Sequence, residues 1–129
     1  MRILIDSHVF LWWALQTRAN SRLSRRAFDV LKNPSTECLL SMGTAWELAL
    51  KSDRLGLSER FEPLLEAAIR SLQLTIVGIE LRHVVYSTSL PWHHRDPFDR
   101  LLVSQAVLEG VPILTADRQI AKYAVKVIW

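Results

Sequence analysis

The feature that most constrains the fold of this chain is a regular alternation of short apolar runs with longer amphipathic segments. Short apolar runs are typical of buried strands, whereas apolar residues three and four apart are typical of helices. The pattern predicts strands over residues 2–5, 38–41, 74–79, 112–115 and 125–129, and helices over 9–15, 24–32, 43–52, 61–72, 81–87, 97–109 and 118–123. Such alternation builds right-handed βαβ units. We therefore predict an α/β fold with three layers, α/β/α, around a central, mainly parallel sheet.

The composition is typical of a single globular domain over residues 1–129. Hydrophobic residues make up 50% of the chain and charged residues 22%, which are ordinary fractions for such a domain. No apolar run approaches the roughly 18 residues that cross a bilayer, and the N-terminus lacks a signal-peptide cleavage site. The only cysteine, Cys38, cannot form an internal disulfide. We expect a buried thiol and a cytoplasmic protein with no membrane partner.

Two carboxylates lie three residues apart at the start of the longest apolar helix. In HHRDPFDRLLVSQA, Asp96 precedes Pro97, and proline is favoured in the first helical position. Asp96 therefore has the position of an N-cap, whose side chain accepts backbone N–H groups. Asp99 is then not needed to start the helix, although it could be the acidic partner in a variant capping box. We interpret Asp96 as a structural cap near the site and Asp99 as a functional acid.

Three more acids follow strands or open the helices after them. Asp6 follows the first strand, Asp117 ends ILTAD after the fourth, and Glu47 lies in TAWELALK after the second. Because open parallel sheets gather ligands beyond the carboxyl ends of their strands, we expect these acids to converge with Asp99. Taken singly, Asp6 and Asp117 could be helix caps, and Glu47 could pair with Lys51 on a solvated face.

Carboxylates that converge raise one another's pKa unless a cation neutralises them. Hard divalent ions such as Mg²⁺ take oxygen ligands, activate water and polarise phosphoryl oxygens. The net charge is +3, and sixteen basic residues face only nine acids once the four are set aside. Such a surface suits a phosphate polymer. The combination favours phosphodiester hydrolysis.

Four stretches of the chain together resemble the PIN-domain ribonucleases: LIDSHVFLWW, SMGTAWELALK, HRDPFDRLLVSQA and ILTADRQIAKY, in this order. The likeness is strongest to the VapC-type toxins of bacterial and archaeal toxin–antitoxin pairs, and it covers essentially the whole chain. It implies a PIN-like fold and an endoribonuclease that depends on Mg²⁺ or Mn²⁺. It also implies neutralisation by a small cognate antitoxin and, as is usual in the family, a homodimer.

The resemblance also implies roles for individual residues. The four family acids fall on Asp6, Glu47, Asp99 and Asp117, and the serine or threonine that follows the first acid in many relatives falls on Ser7. We hypothesise that Asp6 and Asp99 bind the metal ion directly and that Asp117 binds it directly or through water. Glu47 is expected to orient the attacking water, and Ser7 a water molecule or the scissile phosphate.

Further substrate contacts are predicted from position alone. Arg100 and Arg118 each follow a proposed ligand, so they are candidates to hold substrate phosphates or a partner's carboxylates, although solvated surface arginines are an equally good interpretation. Trp92, in the loop beside the acids, is the best candidate for base stacking. The adjacent His93 and His94 could reach the site, but two neighbouring histidines in a loop are more typical of side chains exposed to solvent. Three tryptophans on apolar helices favour core or dimer contacts: Trp12, Trp13 and Trp46.

Other classes of function also fit parts of the pattern. A non-enzymatic PIN-like module could use the same acids to bind a cation or a partner. A structure-specific DNA nuclease shares the chemistry, but the short chain lacks inserted arches. A phospho-acceptor receiver domain is disfavoured, because it needs paired acids after the first strand, where Asp6 stands alone.

Overall fold

A single parallel sheet organises the part of the chain that the computed structural model describes, residues 1–15 and 22–129. Its strand order is β3-β2-β1-β4-β5, and every neighbouring pair is parallel. In the centre, Leu4 pairs with Leu39 on one side and Ile113 on the other. The strands are β1 (Arg2–Ile5), β2 (Glu37–Ser41), β3 (Thr75–Val77), β4 (Ile113–Leu114) and β5 (Val127–Ile128). This sheet confirms the predicted α/β class.

Helices connect the strands. They are α1 (Ser7–Ala14), α2 (Arg25–Lys32), α3 (Met42–Lys51), α4 (Phe61–Leu72), α5 (Leu81–Ser89) and α6 (Pro97–Glu109), followed by a 3-10 helix at Ile120–Lys122. Among the described residues, none of the helices has the length and apolar character required to cross a bilayer.

Both faces of the sheet are buried, as a three-layer fold requires. Along β1, Ile3 and Ile5 pack in one hydrophobic cluster with Phe10 of α1. Leu4, which points the other way, packs in a second cluster with Val103 of α6. The predicted α/β/α arrangement is confirmed by these two cores. Cys38 of β2 is buried in the first of them, as expected, and burial raises the pKa of its thiol to about 11.

Several element bounds differ from the prediction for local reasons. Helix α1 begins at Ser7, earlier than predicted, because the side chain of Asp6 accepts the N–H of Val9 as an N-cap. Strand β3 begins one residue later than predicted because the N–H of Leu74 still bonds to the last turn of α4, and it ends at Val77. The predicted helix over residues 118–123 is only the short 3-10 helix. There the N–H of Gln119 donates to Asp117 Oδ1 at 2.7 Å, which forms a turn.

Candidate active site

The fold brings Asp6 and Asp117 to one edge of the sheet. Asp6 directly follows β1, Asp117 lies three residues beyond β4, and these two strands are paired neighbours. Glu47 lies on α3, which begins directly after β2, and Asp99 lies in the first turn of α6. A Cβ atom at Gly43 would stand 3.0 Å from Leu101 of α6. The missing side chain therefore lets α3 approach α6.

Asp6 is almost fully buried, with 3% of its surface exposed. Its Oδ1 accepts the N–H of Val9 at 2.8 Å, and its Oδ2 accepts the hydroxyl of Thr115. Burial raises the pKa of Asp6, and the negative charge of Asp117 adds to that effect, while the two hydrogen bonds oppose it. Asp6 is thus both the N-cap of α1 and an acid at the carboxyl edge of the sheet. Its carboxylate is held by Val9 on one oxygen and by Thr115 on the other.

Asp99 is separate from the cap of its helix. The cap is Asp96, whose Oδ1 accepts the N–H groups of Phe98 at 2.9 Å and Asp99 at 3.2 Å. The pKa of Asp99 is raised to about 6. Burial is the largest cause, repulsion from Asp96 is the next, and Asp117 and Glu47 add smaller repulsions. The two acids at the start of α6 therefore have different surroundings, and Asp99 faces the other acids.

Glu47 is buried and paired. Its Oε1 lies 2.5 Å from Nζ of Lys51 one turn later, and the Glu47 side chain is only 6% exposed. The helical pair that the sequence offered as an alternative is therefore formed, but on a mostly buried face. The contact with Lys51 restricts the rotamers that the Glu47 side chain can adopt.

The four acids form an electrostatically connected set. The charge of Asp117 acts on both Asp6 and Asp99, and that of Glu47 acts on Asp99. Within residues 1–15 and 22–129, no three of them have carboxylate oxygens all within 4.8 Å of one another. Mg²⁺ needs only one or two direct carboxylates and keeps several waters. Buried carboxylates with raised pKa values fit such a hard cation, because the cation supplies the missing countercharge.

A second group of ligand-type side chains joins α5 to α6 away from these acids. Glu80, His83 and Glu109 offer ligand atoms that lie within 4.8 Å of one another. However, Nδ1 of His83 accepts the N–H of Glu80 at 2.9 Å, so Nε2 carries the proton and donates to Glu109 at 2.9 Å. Arg82 bridges both carboxylates. With both nitrogens of His83 engaged and an arginine present, this group fits a structural clasp better than a metal site.

Arg100 lies away from the phosphate-binding position that the sequence suggested. Its guanidinium is buried and donates to the carbonyl oxygens of Ser87 at 2.9 Å, Leu90 at 3.1 Å and Pro91 at 2.9 Å. The next residue on a helix is rotated by about 100°, so a neighbour of Asp99 points elsewhere. We therefore remove Arg100 from the substrate-binding set; it anchors the loop between α5 and α6.

The other predicted substrate contacts are two exposed side chains and one buried side chain. Trp92 is 71% exposed, and the carbon at the centre of the Arg100 guanidinium lies 3.7 Å from its ring. Arg118 is exposed directly after Asp117, and Ser7 is buried at the start of α1. Of the three tryptophans expected in core or dimer contacts, Trp13 is buried and Trp12 packs against the core, whereas Trp46 is exposed.

Several residues at this edge were not predicted. Thr115 joins two acids, because its Oγ1 donates to Asp6 and accepts the N–H of Asp117 at 2.9 Å. Asp6 and Asp117 also line a cavity of about 270 Å³ with His8, Trp12 and Ala116. His8 and Trp12 are four residues apart on α1, and this spacing could have shown that they share a face of the helix.

His94 was expected in solvent, yet its side chain is only 15% exposed. Its Nε2 lies 3.1 Å from Oδ2 of Asp99. Its neighbour His93 is exposed and packs edge-on against Tyr123 at 4.7 Å between ring centroids. Loop residues carry no periodicity, so the sequence could not separate these two histidines.

Comparisons with known proteins identify a family and two structures of similar fold. A family model described as the PIN domain matches residues 3–126. VapBC2 from Rickettsia felis, in a structure bound to a DNA fragment from their promoter, has a similar fold with a TM-score of 0.75 and 12% identity, covering 99% of this chain and 98% of that chain. VapBC-1 from nontypeable Haemophilus influenzae gives 0.63 and 12%, covering 99% and 97%. No curated protein matches the sequence.

Proposed function

Since the chain belongs to the PIN domain family, we propose that it is a metal-dependent endoribonuclease, the VapC-type toxin of a toxin–antitoxin pair. The observation that carries the proposal is the set of four acids at the carboxyl edge of the sheet, where burial and mutual repulsion raise the pKa values of Asp6 and Asp99. The fold similarity to two VapBC structures supports the toxin assignment.

Asp6, Asp99 and Asp117 are the residues that would hold Mg²⁺ or Mn²⁺. When bound, the ion would neutralise their charge and polarise a phosphoryl oxygen of the substrate. Asp6 is suited to this role because bonds from Val9 and Thr115 fix its carboxylate before any ligand arrives. Such preorganisation lowers the cost of assembling the site.

Glu47 orients the attacking water. Its carboxylate, which Lys51 contacts at 2.5 Å, can accept a hydrogen bond from water and so direct a lone pair of that water at phosphorus. Ser7, next to Asp6, hydrogen-bonds that water or the scissile phosphate. Because water rather than the ribose 2′-hydroxyl attacks, hydrolysis leaves a 5′-phosphate and a 3′-hydroxyl.

Single-stranded RNA is the proposed substrate, and Trp92 stacks one of its bases. The Trp92 ring is exposed, yet the buried Arg100 lies 3.7 Å from one of its faces, so the other face is presented in a fixed orientation. Stacking on such a platform is tolerant of sequence. Arg118, exposed beside Asp117, would contact the phosphate backbone.

Two protein partners belong to this proposal. A small antitoxin neutralises the enzyme, and a second copy of the chain forms a homodimer. The dimer is supported by exposed apolar side chains on α3 and α5. Ile79, just before α5, is also exposed and lies beside Gly43 of α3. The exposed side chains on the two helices are Met42, Trp46, Leu50, Leu81, Val84 and Val85. Leu81→Asp is expected to yield monomers in sedimentation velocity, whereas Leu55→Asp, outside these helices, leaves the dimer intact.

The nuclease proposal is tested by the ends of the products. Purified protein is incubated with a 5′-labelled single-stranded RNA and, in parallel, with DNA of the same sequence. We expect RNA fragments with 5′-phosphate and 3′-hydroxyl ends and no cleavage of DNA. Ends carrying 2′,3′-cyclic phosphate would reject the water mechanism. Cleavage of DNA alone would favour the DNA-nuclease alternative, and binding of Mn²⁺ without cleavage would favour the silent module.

A further inference from the structure

His94 connects Asp99 to the buried interior. Its Nε2 lies 3.1 Å from Oδ2 of Asp99, and its Nδ1 lies 2.8 Å from the hydroxyl oxygen of Tyr123. The same hydroxyl accepts a hydrogen bond from Nη1 of Arg100 at 3.2 Å. Four side chains thus form one unbroken line of hydrogen bonds from a buried arginine to a proposed metal ligand.

The chemistry of these groups sets the direction of every bond in the line. Arginine is only a donor, and a neutral imidazole has one donor and one acceptor nitrogen. Because the oxygen of Tyr123 accepts from Arg100, its own proton is directed at Nδ1 of His94. The proton of His94 is then on Nε2 and is directed at Asp99. The reverse order would leave the Tyr123 proton without an acceptor and would require a protonated Asp99.

We propose that His94 is a positioning residue for Asp99 and that Tyr123 and Arg100 set its tautomer. The inference rests on the proposed role of Asp99 as a metal ligand. The donor on Nε2 engages Oδ2 and so fixes the rotation of the carboxylate in the first turn of α6. Hydrogen-bond partners that orient metal ligands typically contribute 10- to 100-fold to metal affinity or activity.

The burial of Arg100 explains why this line is rigid. Its guanidinium donates to three carbonyl oxygens at residues 87, 90 and 91, in the segment that precedes His94. The arginine therefore holds both the loop and the Tyr123 hydroxyl, and His94 is placed between two fixed groups. The alternative is that His94 only packs on Tyr123, as His93 does through its edge contact at 4.7 Å.

Nuclear magnetic resonance of the metal-free protein tests the tautomer directly. Long-range ¹⁵N–¹H correlation at mildly alkaline pH distinguishes protonated from unprotonated ring nitrogens. We expect the proton of His94 on Nε2, and a larger share of the Nδ1–H form in Tyr123→Phe. A proton on Nδ1 of His94 in the wild-type protein overturns the proposal. This measurement requires neither metal nor RNA.

Calorimetric titration with Mn²⁺ tests the positioning role. In His94→Gln the longer side chain brings an amide N–H to the position of Nε2, whereas His94→Asn cannot reach Asp99. We expect His94→Asn to weaken Mn²⁺ binding by about 10-fold or more and His94→Gln to bind Mn²⁺ within a few-fold of wild type. The control His93→Asn should bind Mn²⁺ as the wild type does. Equal affinity in His94→Asn and wild type overturns the proposal. If RNA survives while both results hold, the nuclease function fails and the positioning role stands.

Discussion

The hydroxyl of Thr115 donates to the carboxylate of Asp6 across 109 residues of sequence. The same oxygen accepts the N–H of Asp117 at 2.9 Å. The Thr115 hydroxyl, directly after β4, therefore fixes both Asp6 and the turn that carries Asp117. This bond also opposes the effect of burial on the pKa of Asp6.

Replacing Thr115 by valine keeps the shape and removes the hydroxyl. We expect Thr115→Val to lower the free energy of unfolding by about 1–3 kcal/mol, because it leaves buried polar groups without a partner. Mn²⁺ binding should weaken as well, since the pKa of Asp6 rises further. Urea unfolding and calorimetry check both effects. Thr75→Val, at an exposed position of β3, is the matched control, and an unchanged Thr115→Val protein would refute the role of this hydroxyl.

The raised pKa of Asp99 gives a sign to the pH dependence of the metal-free protein. Its usual value is 3.8 and its folded value is about 6, so the folded state holds this proton more tightly than the unfolded state does. The resulting stabilisation is complete below about pH 4 and is lost as the pH rises through about 6. In EDTA, urea unfolding should show wild type falling relative to Asp99→Asn over this window. Parallel profiles for the two proteins would contradict the assignment.

A bound cation should reverse that loss. Ions that bind only the folded state raise its stability by mass action. We expect Mg²⁺ or Mn²⁺ to raise the melting temperature at pH 7 and to do so far less at pH 5, where protons compete for the acids. Differential scanning calorimetry checks this expectation, with Asp99→Asn as the variant that should respond weakly at both pH values. A Mg²⁺ effect of equal size in Asp99→Asn would place the ion elsewhere.

Trp92 should contribute to RNA affinity and little to chemistry. Stacking of one base contributes about 1–3 kcal/mol, so Trp92→Ala should raise KM for a single-stranded RNA roughly 5- to 150-fold, with a smaller change in kcat. Trp92→Phe should retain part of the affinity. Phe28→Ala, on α2, is the control for loss of a partly exposed aromatic residue. A fall in kcat without a change in KM would argue against stacking.

Arg100 should matter for stability. Lysine cannot bridge three carbonyl oxygens and a hydroxyl, and it loses the planar contact with Trp92. Since a hydrogen bond to a charged group contributes about 1.5–3 kcal/mol, Arg100→Lys should lower the free energy of unfolding by at least about 3 kcal/mol. The exposed Arg118→Lys should be within about 0.5 kcal/mol of wild type. If the two variants unfold alike, the loop is held in another way.

The sequence was most informative where regular structure positions a residue. Asp6 and Glu47 could be placed at the carboxyl edge because the strands before them have clear apolar patterns, and the parallel order follows from the alternation with helices. The cap at Asp96 could be read from the proline that follows it. The hydrophobic periodicity and the capping residues are sufficient to predict such positions from the sequence.

The sequence was least informative where position depends on rotation or on a loop. Arg100 is adjacent to Asp99 in the chain, but the helical turn directs it into the core, where it meets carbonyl groups at the end of α5 and in the loop before α6. His94 reaches Asp99 only because that loop is held in place. Thr115 meets Asp6 through strand pairing between the ends of the chain. The Thr115 contact joins residues far apart in the chain, and the other two depend on a loop conformation that hydrophobic periodicity does not predict.

The most direct test of the central claim uses purified protein on total RNA, with Mg²⁺ or with EDTA, beside Asp6→Asn and Asp99→Asn. Circular dichroism establishes that each variant is folded. We expect cleavage with Mg²⁺, none with EDTA, and none by either variant, because the acids act together through a divalent ion. Cleavage that survives chelation, or that survives both substitutions, would contradict the account.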